Sequence, residues 1–220
     1  MQELRFSSTN QALQYLSNLH GSKVIIGQDM LTVDDSDEEF FEKRTREHIN
    51  RVRDNLAIIG KYTDFDAREL EHRGQIHDAS KFESPERGPY VWLTKKKKLK
   101  EFDGIDLEYP EDVMKEVNQA TNHHILHNLH HPEAHSDEET PIQENDDRDA
   151  PAKTIDASRM NDIDIVEMVC DWTAMAQELN QCNGSARCWA DDNVNKRWTF
   201  TEPQVELIYD TIKVLEDHVS

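Results

Sequence analysis

Positive charge is scarce in this 220-residue chain: 25 lysines and arginines stand against 45 aspartates and glutamates, a formal net charge of −20. A surplus of that size repels nucleic-acid backbones and anionic membranes. Duplex nucleic acid is therefore disfavoured as a partner, and a small anionic substrate fits only where a metal or a local basic cluster reverses the field. Apolar residues are also few, at 36%, beside 32% charged residues. That balance points to helices with thin apolar stripes and broad charged faces. No run approaches the ~20 apolar residues that a membrane span needs. The opening MQELRFSSTNQ has neither the basic nor the apolar region of a signal peptide, so the expected setting is cytoplasmic, without membrane contact. Cysteine is rare as well. Cys170, Cys182 and Cys188 make an odd number with no CxxC pair, and free thiols in a reducing compartment are expected.

What is present is helical periodicity. The length suits one core domain with a small appendage. Residues 1–35 read as that appendage, a short helix near 9–19 followed by strand-like KVII and an acidic turn. The domain then runs over 36–220 with helices expected at about 37–60, 64–82, 110–131, 161–180 and 202–218, so the fold class is all-α. Pro110 and Pro132 bracket the third of these. Residues 132–158 read as a long acidic loop, and 181–200 as loop. Lys95–Lys98 read as an exposed block unrelated to catalysis.

Six of the eleven histidines crowd into 120-ATNHHILHNLHHPEAH-135. At 100° per residue, Val113, Val117, Ala120, His124, Asn128 and His131 share one stripe that begins apolar and turns polar. His124 and His131 are thereby aimed inward, His127 sits on the shoulder, and His123, His130 and His135 are expected in solvent. The first long helix carries one histidine in a similar stripe: Phe41, Thr45, His48, Val52, Asn55 and Ile59. On the second, Leu70, Gly74, His77 and Lys81 align with Asp78 on the flank, and Gly74 would admit a close neighbour. On the fourth, Ile163, Val166, Cys170 and Thr173 make the stripe, beside the acidic line Asp164, Glu167 and Asp171. Each alone reads as an ordinary core histidine or a solvated acidic face. Together, several inward imidazoles and carboxylates leave costly unpaired atoms unless a cation binds them. Mixed imidazole and carboxylate donors suit Mn, Fe, Co, Ni or Zn.

The blocks 77-HDASKFESPERGPY-90, 120-ATNHHILHNLHHPE-133 and 167-EMVCDW-172, preceded by the His48 helix, resemble the HD-domain metal-dependent phosphohydrolase superfamily over about residues 40–180. Within it they look closest to a bacteriophage-encoded branch of HD-like proteins. The resemblance implies an HD-like helical bundle with His48, His77, Asp78 and Asp171 as ligands of a first divalent metal, and His124 and His131 as ligands of a second. It implies hydrolysis of nucleotide phosphates by a metal-activated water: a nucleoside monophosphate nucleotidase, a dNTP triphosphohydrolase, or a cyclic nucleotide or dinucleotide phosphodiesterase. Asp78 is then central to catalysis, Lys81 would reach the phosphate, with Arg51 and Arg73 as weaker candidates, and Glu83, Glu86 or Glu167 would serve as base. A homo-oligomer also follows from the resemblance. From a different class, the chain would be a nucleotide-binding, host-interaction protein with little turnover.

Overall fold

The computed structural model describes residues 32–136 and 154–219. The helix near 9–19, the KVII strand and most of the acidic loop lie outside the described residues. Seven α-helices follow in chain order: α1 (Asp35–Tyr62), α2 (Ala67–Ile76), α3 (Arg87–Lys98), α4 (Glu111–His127), α5 (Asp162–Glu178), α6 (Arg187–Asn193) and α7 (Glu202–His218). Two short strands, β1 (Ile155–Asp156) and β2 (Trp198–Thr199), pair in parallel with Ile155 opposite Trp198. The class is mostly helical, as the periodicity requires.

The register of α1 is set at its first turn. Asp34 accepts from the Asp37 N–H at 3.1 Å, and the Asp37 carboxylate accepts from the Asp34 N–H at 3.4 Å, a reciprocal cap that satisfies two otherwise orphaned donors. From there Phe41, Thr45, His48, Val52, Asn55 and Ile59 fall inward, together with Leu56. They pack on α5, the central element, where Ile165, Val166, Met168, Val169, Cys170 and Ala174 are fully buried. A polar clasp fixes the two helices along their axes. Asn55 Nδ2 donates to the Cys170 carbonyl at 3.1 Å, and Gln177 Nε2 donates to Asn55 Oδ1 at 3.2 Å. A buried amide satisfied in this way locks register as apolar packing alone does not.

Helix ends differ from the periodic reading. The second helix stops at Ile76, not near 82: His77 caps it and Asp78 takes a left-handed conformation (φ 57°) before a 3₁₀ turn at Ala79–Phe82. The third stops at His127, since Asn128 is extended (φ −108°, ψ 114°); Pro132 already disfavours helix at His131. The segment 84–100 forms α3. Its Lys95 is buried, 2.7 Å from Asp37, so the lysine block is not uniformly exposed. Part of 181–200 is ordered as α6 and β2. Cys182 and Cys188 are joined in a disulfide, correcting the expectation of free thiols; the turn between α5 and α6 brings their Cα atoms to 6.3 Å, and Cys170 alone stays a buried thiol.

Gly74 is a point of close approach between α2 and α1. A Cβ there would lie 2.9 Å from Arg53 Cγ and 3.4 Å from Leu56 Cδ1. Gly74→Val should therefore cost about 2 kcal/mol of stability and lower the melting temperature by roughly 4–8 °C. An unchanged melting curve would show that the two helices can part freely there.

Candidate metal centre

The break at His77–Asp78 makes the site. A left-handed residue between helix and turn projects Asp78 into the space between α1, α4 and α5, where it is only 1% exposed. Aspartate tolerates this conformation better than most residues. Four imidazole Nε2 atoms surround its carboxylate, two on each oxygen. His48 and His77 stand 3.7 Å from Oδ2. His124 and His130 stand 3.1 and 3.7 Å from Oδ1. Asp171 Oδ1 lies 2.9 Å from His48 Nε2 and 3.7 Å from His77 Nε2.

Among the described residues, three groups have donors close enough to hold a cation: His48, His77 and Asp171 on one side of Asp78, His124, His130 and His131 on the other, and His77, His130 and Glu167, which takes one histidine from each. The first four ligand candidates named from the sequence converge, and His124 and His131 join the second group. His130 is the correction. Placed in solvent by a helical wheel run through residue 131, it is 3% exposed because the helix ends three residues earlier. His135 is also half-buried, its Nε2 2.8 Å from the Leu129 carbonyl. His123 is half-buried too, while His127 is exposed.

Behind the imidazoles stand two buried carboxylates. Glu167 Oε1 lies 2.8 Å from His77 Nδ1, and its other oxygen accepts from Arg73 Nε at 2.5 Å. Glu86 accepts from Ser80 at 2.9 Å and stands 2.8 Å from His124 Nδ1 and 2.7 Å from His123 Nδ1. Each carboxylate is placed to accept a hydrogen bond from Nδ1–H of its histidine, His77 or His124, whose Nε2 then faces Asp78. Glu167 and Glu86, candidates for a base, are both engaged by histidine ring nitrogens, and Glu83 is exposed on the turn. Arg73 pairs with both Asp164 and Glu167 and is spent inside the fold; Arg51 faces Glu178 at 3.8 Å. The acidic line on α5 is accordingly not a solvated face: Asp164 and Glu167 are buried.

The carboxylates favour positive charge at His77, whereas burial and the neighbouring His77 lower the pKa of His130. Burial alone would raise the Asp78 pKa, but Lys81, then His77 and His124, hold it well below the usual carboxylate range. Burial opposes charge on His77, yet Asp78, Asp171 and Glu167 push its pKa up to about 10. His77 Nε2 and Asp78 Oδ1 are buried without a hydrogen-bond partner. Orphaned donor-capable atoms among imidazoles and carboxylates fit a divalent ion of the first transition series.

Above the cluster opens a cleft of about 710 Å³ lined by His48, His124, His131 and Asp171 at its floor, Tyr90, Tyr109, Trp172, Trp189 and Trp198 on its walls, and Arg44, Lys81, Lys96, Lys97, Lys100 and Arg197 around it. In a chain of net charge −20, this lining carries six cations against two carboxylates, Asp171 and Asp192. Lys81 sits 2.5 Å from Asp78 Oδ2. Two lysines of the block set aside from the sequence, Lys96 and Lys97, belong to the cleft.

A protein-family model matches residues 37–219, that of a family of unknown function, DUF5662. No curated protein and no solved structure matches the chain.

Arg73 is the brace of the inner carboxylates, and its loss leaves two buried charges uncompensated. Arg73→Met should cost about 3–5 kcal/mol in urea unfolding; a loss below about 1 kcal/mol would mean that Asp164 and Glu167 do not depend on it.

Proposed function

The chain belongs to the DUF5662 family, whose function is unknown, and we propose that it is a metal-dependent phosphohydrolase of HD-like architecture acting on nucleotides. One observation carries the reading: the buried Asp78 carboxylate stands between two histidine groups, each with a carboxylate-oriented imidazole, at the floor of a cation-lined, aromatic-walled cleft. The donors suit one or two ions of Mn, Fe, Co, Ni or Zn, with His48, His77, Asp78 and Asp171 for the first and His124, His130 and His131, with Asp78 shared, for the second. A divalent ion at such a site supplies a Lewis acid for phosphoryl oxygens and makes water a nucleophile near neutral pH.

The residues of the chain divide the remaining work. Lys81, on the cleft wall beside Asp78, places a point charge on the phosphate. Asp171 is the carboxylate that both joins the histidine group and lines the cleft, so it is assigned as acceptor of the proton from the attacking water. Glu167 and Glu86 keep their imidazoles in the tautomer that leaves Nε2 unprotonated. The cations of the cleft draw an anionic substrate against the overall charge of the chain. The second histidine group favours a phosphodiester as substrate beside monoesters and anhydrides, because two charge centres flanking one carboxylate can attend both the attacking and the leaving oxygen.

The test joins metal content to turnover. The full chain, loaded with Mn, Co, Zn or Mg, is assayed on p-nitrophenyl phosphate, bis(p-nitrophenyl) phosphate and nucleoside mono-, tri- and cyclic phosphates. Hydrolysis should appear and be abolished by EDTA and by Asp78→Ala; no turnover on any substrate would favour the binding-protein reading. In metal analysis, Asp78→Ala should lose bound ion, and Glu167→Gln should weaken it about 10–100-fold. His130→Ala should retain one ion while losing the second. Equal metal content in the wild type and His130→Ala would leave a mononuclear site.

A further inference from the structure

The cleft has a second end. On α1, Arg44 lies one turn before His48; on α3, Lys97 lies two turns beyond Tyr90, whose ring is 5.5 Å from that of His124; on α5, Glu178 lies two turns beyond Asp171. At 1.5 Å per residue these offsets place the far end about 6–10 Å along the helices from the histidines. Arg44 and Lys97 meet at Glu178, at 2.6 and 3.5 Å, which joins the three helices there. Arg51 approaches the same carboxylate at 3.8 Å. Three cations share one anion, and Lys96, which lines the same cleft, lies over the Tyr109 ring at 4.9 Å and 3.9 Å from Asp106. Burial, then the adjacent Arg44, lower the pKa of Lys97, while Glu178 and Glu101 act against them.

The tryptophans line the same cleft. Trp172 and Trp198 stack at 5.6 Å between ring centres, and Trp189 leans on Trp198 at 6.4 Å with 41% of its surface exposed. An exposed indole backed by a rigid stacked pair is a platform for a flat ring.

We propose that the cleft takes a nucleotide bearing a second phosphoryl group across its sugar, a nucleoside 3′,5′-bisphosphate, with one phosphoryl at the histidine groups and the other at Arg44, Lys96 and Lys97. This rests on the phosphohydrolase reading and adds the substrate class. A monophosphate leaves Arg44, Arg51 and Lys97 sharing the single Glu178 carboxylate. Phosphates joined directly through bridging oxygens lie closer together than the two ends, whereas an intervening sugar spreads them.

Tryptophan fluorescence of the full chain in EDTA, where nothing is turned over, gives the affinity for the 3′,5′-bisphosphates, 5′-monophosphates and 5′-triphosphates of adenosine, guanosine, cytidine and uridine. At least one bisphosphate should bind about tenfold more tightly than its monophosphate and triphosphate, the worth of one charge-assisted contact. The double variant Lys96→Gln/Lys97→Gln should bring the bisphosphate-to-monophosphate ratio to about one while sparing the monophosphate, whereas Lys98→Gln, outside the cleft, should leave the ratio as in the wild type. Equal affinities for mono- and bisphosphates of every base, an equal loss for both in the double variant, or no binding of any nucleotide would overturn the proposal. Turnover of the nitrophenyl esters together with any of these results would sink this substrate class alone and leave the phosphohydrolase reading standing.

Discussion

A carboxylate with almost no access to water, held in a left-handed residue between a helix and a turn, is the constraint to which the rest of this protein answers. An isolated buried charge is among the most expensive things a fold can contain. Asp78 is tolerated because Lys81 and four imidazoles converge on it. Those imidazoles need their own partners, which brings in Glu167 and Glu86; Glu167 in turn needs Arg73, which also serves Asp164. The chain of compensation runs outward through three layers before it reaches solvent. It explains why α5, the most buried helix, carries acidic residues on its inner side.

The same accounting separates charges that build the fold from charges that face a ligand. Lys95 is buried against Asp37 and ties α3 to the first turn of α1. Its neighbours Lys96 and Lys97 turn into the cleft, where cations outnumber carboxylates. A strongly acidic protein needs such a local reversal of field to admit a phosphate, and an α-helix achieves it by rotating successive lysines by 100°.

Stripes were legible in the sequence because an amphipathic helix writes its buried face into the spacing of its residues. Phe41 to Ile59 on α1 and the start of α4 follow that rule, and His48 and His124 came with it. The wheel failed where the helix did. Run past its true end it sent His130 to solvent, although Asn128 and Pro132 together mark an earlier stop. The acidic line on α5 was misread for a different reason: its burial depends on Arg73, which is separated from it by about ninety residues of chain and cannot be paired with it by periodicity.

The sequence by itself determined the helical class, the faces that turn inward and the donor types gathered on them, since these follow from local period and residue chemistry. Its motif blocks named His48, His77, Asp78 and Asp171 as a set. Only the tertiary structure decided that Asp78 stands between two pairs of imidazoles, that Glu86 and Glu167 are engaged by histidine ring nitrogens, that Cys182 meets Cys188, and that the lysines of α3 divide between core and cleft. Each of these depends on where one helix ends or how two helices are rotated against each other, and such relations are fixed by packing between residues distant in the chain.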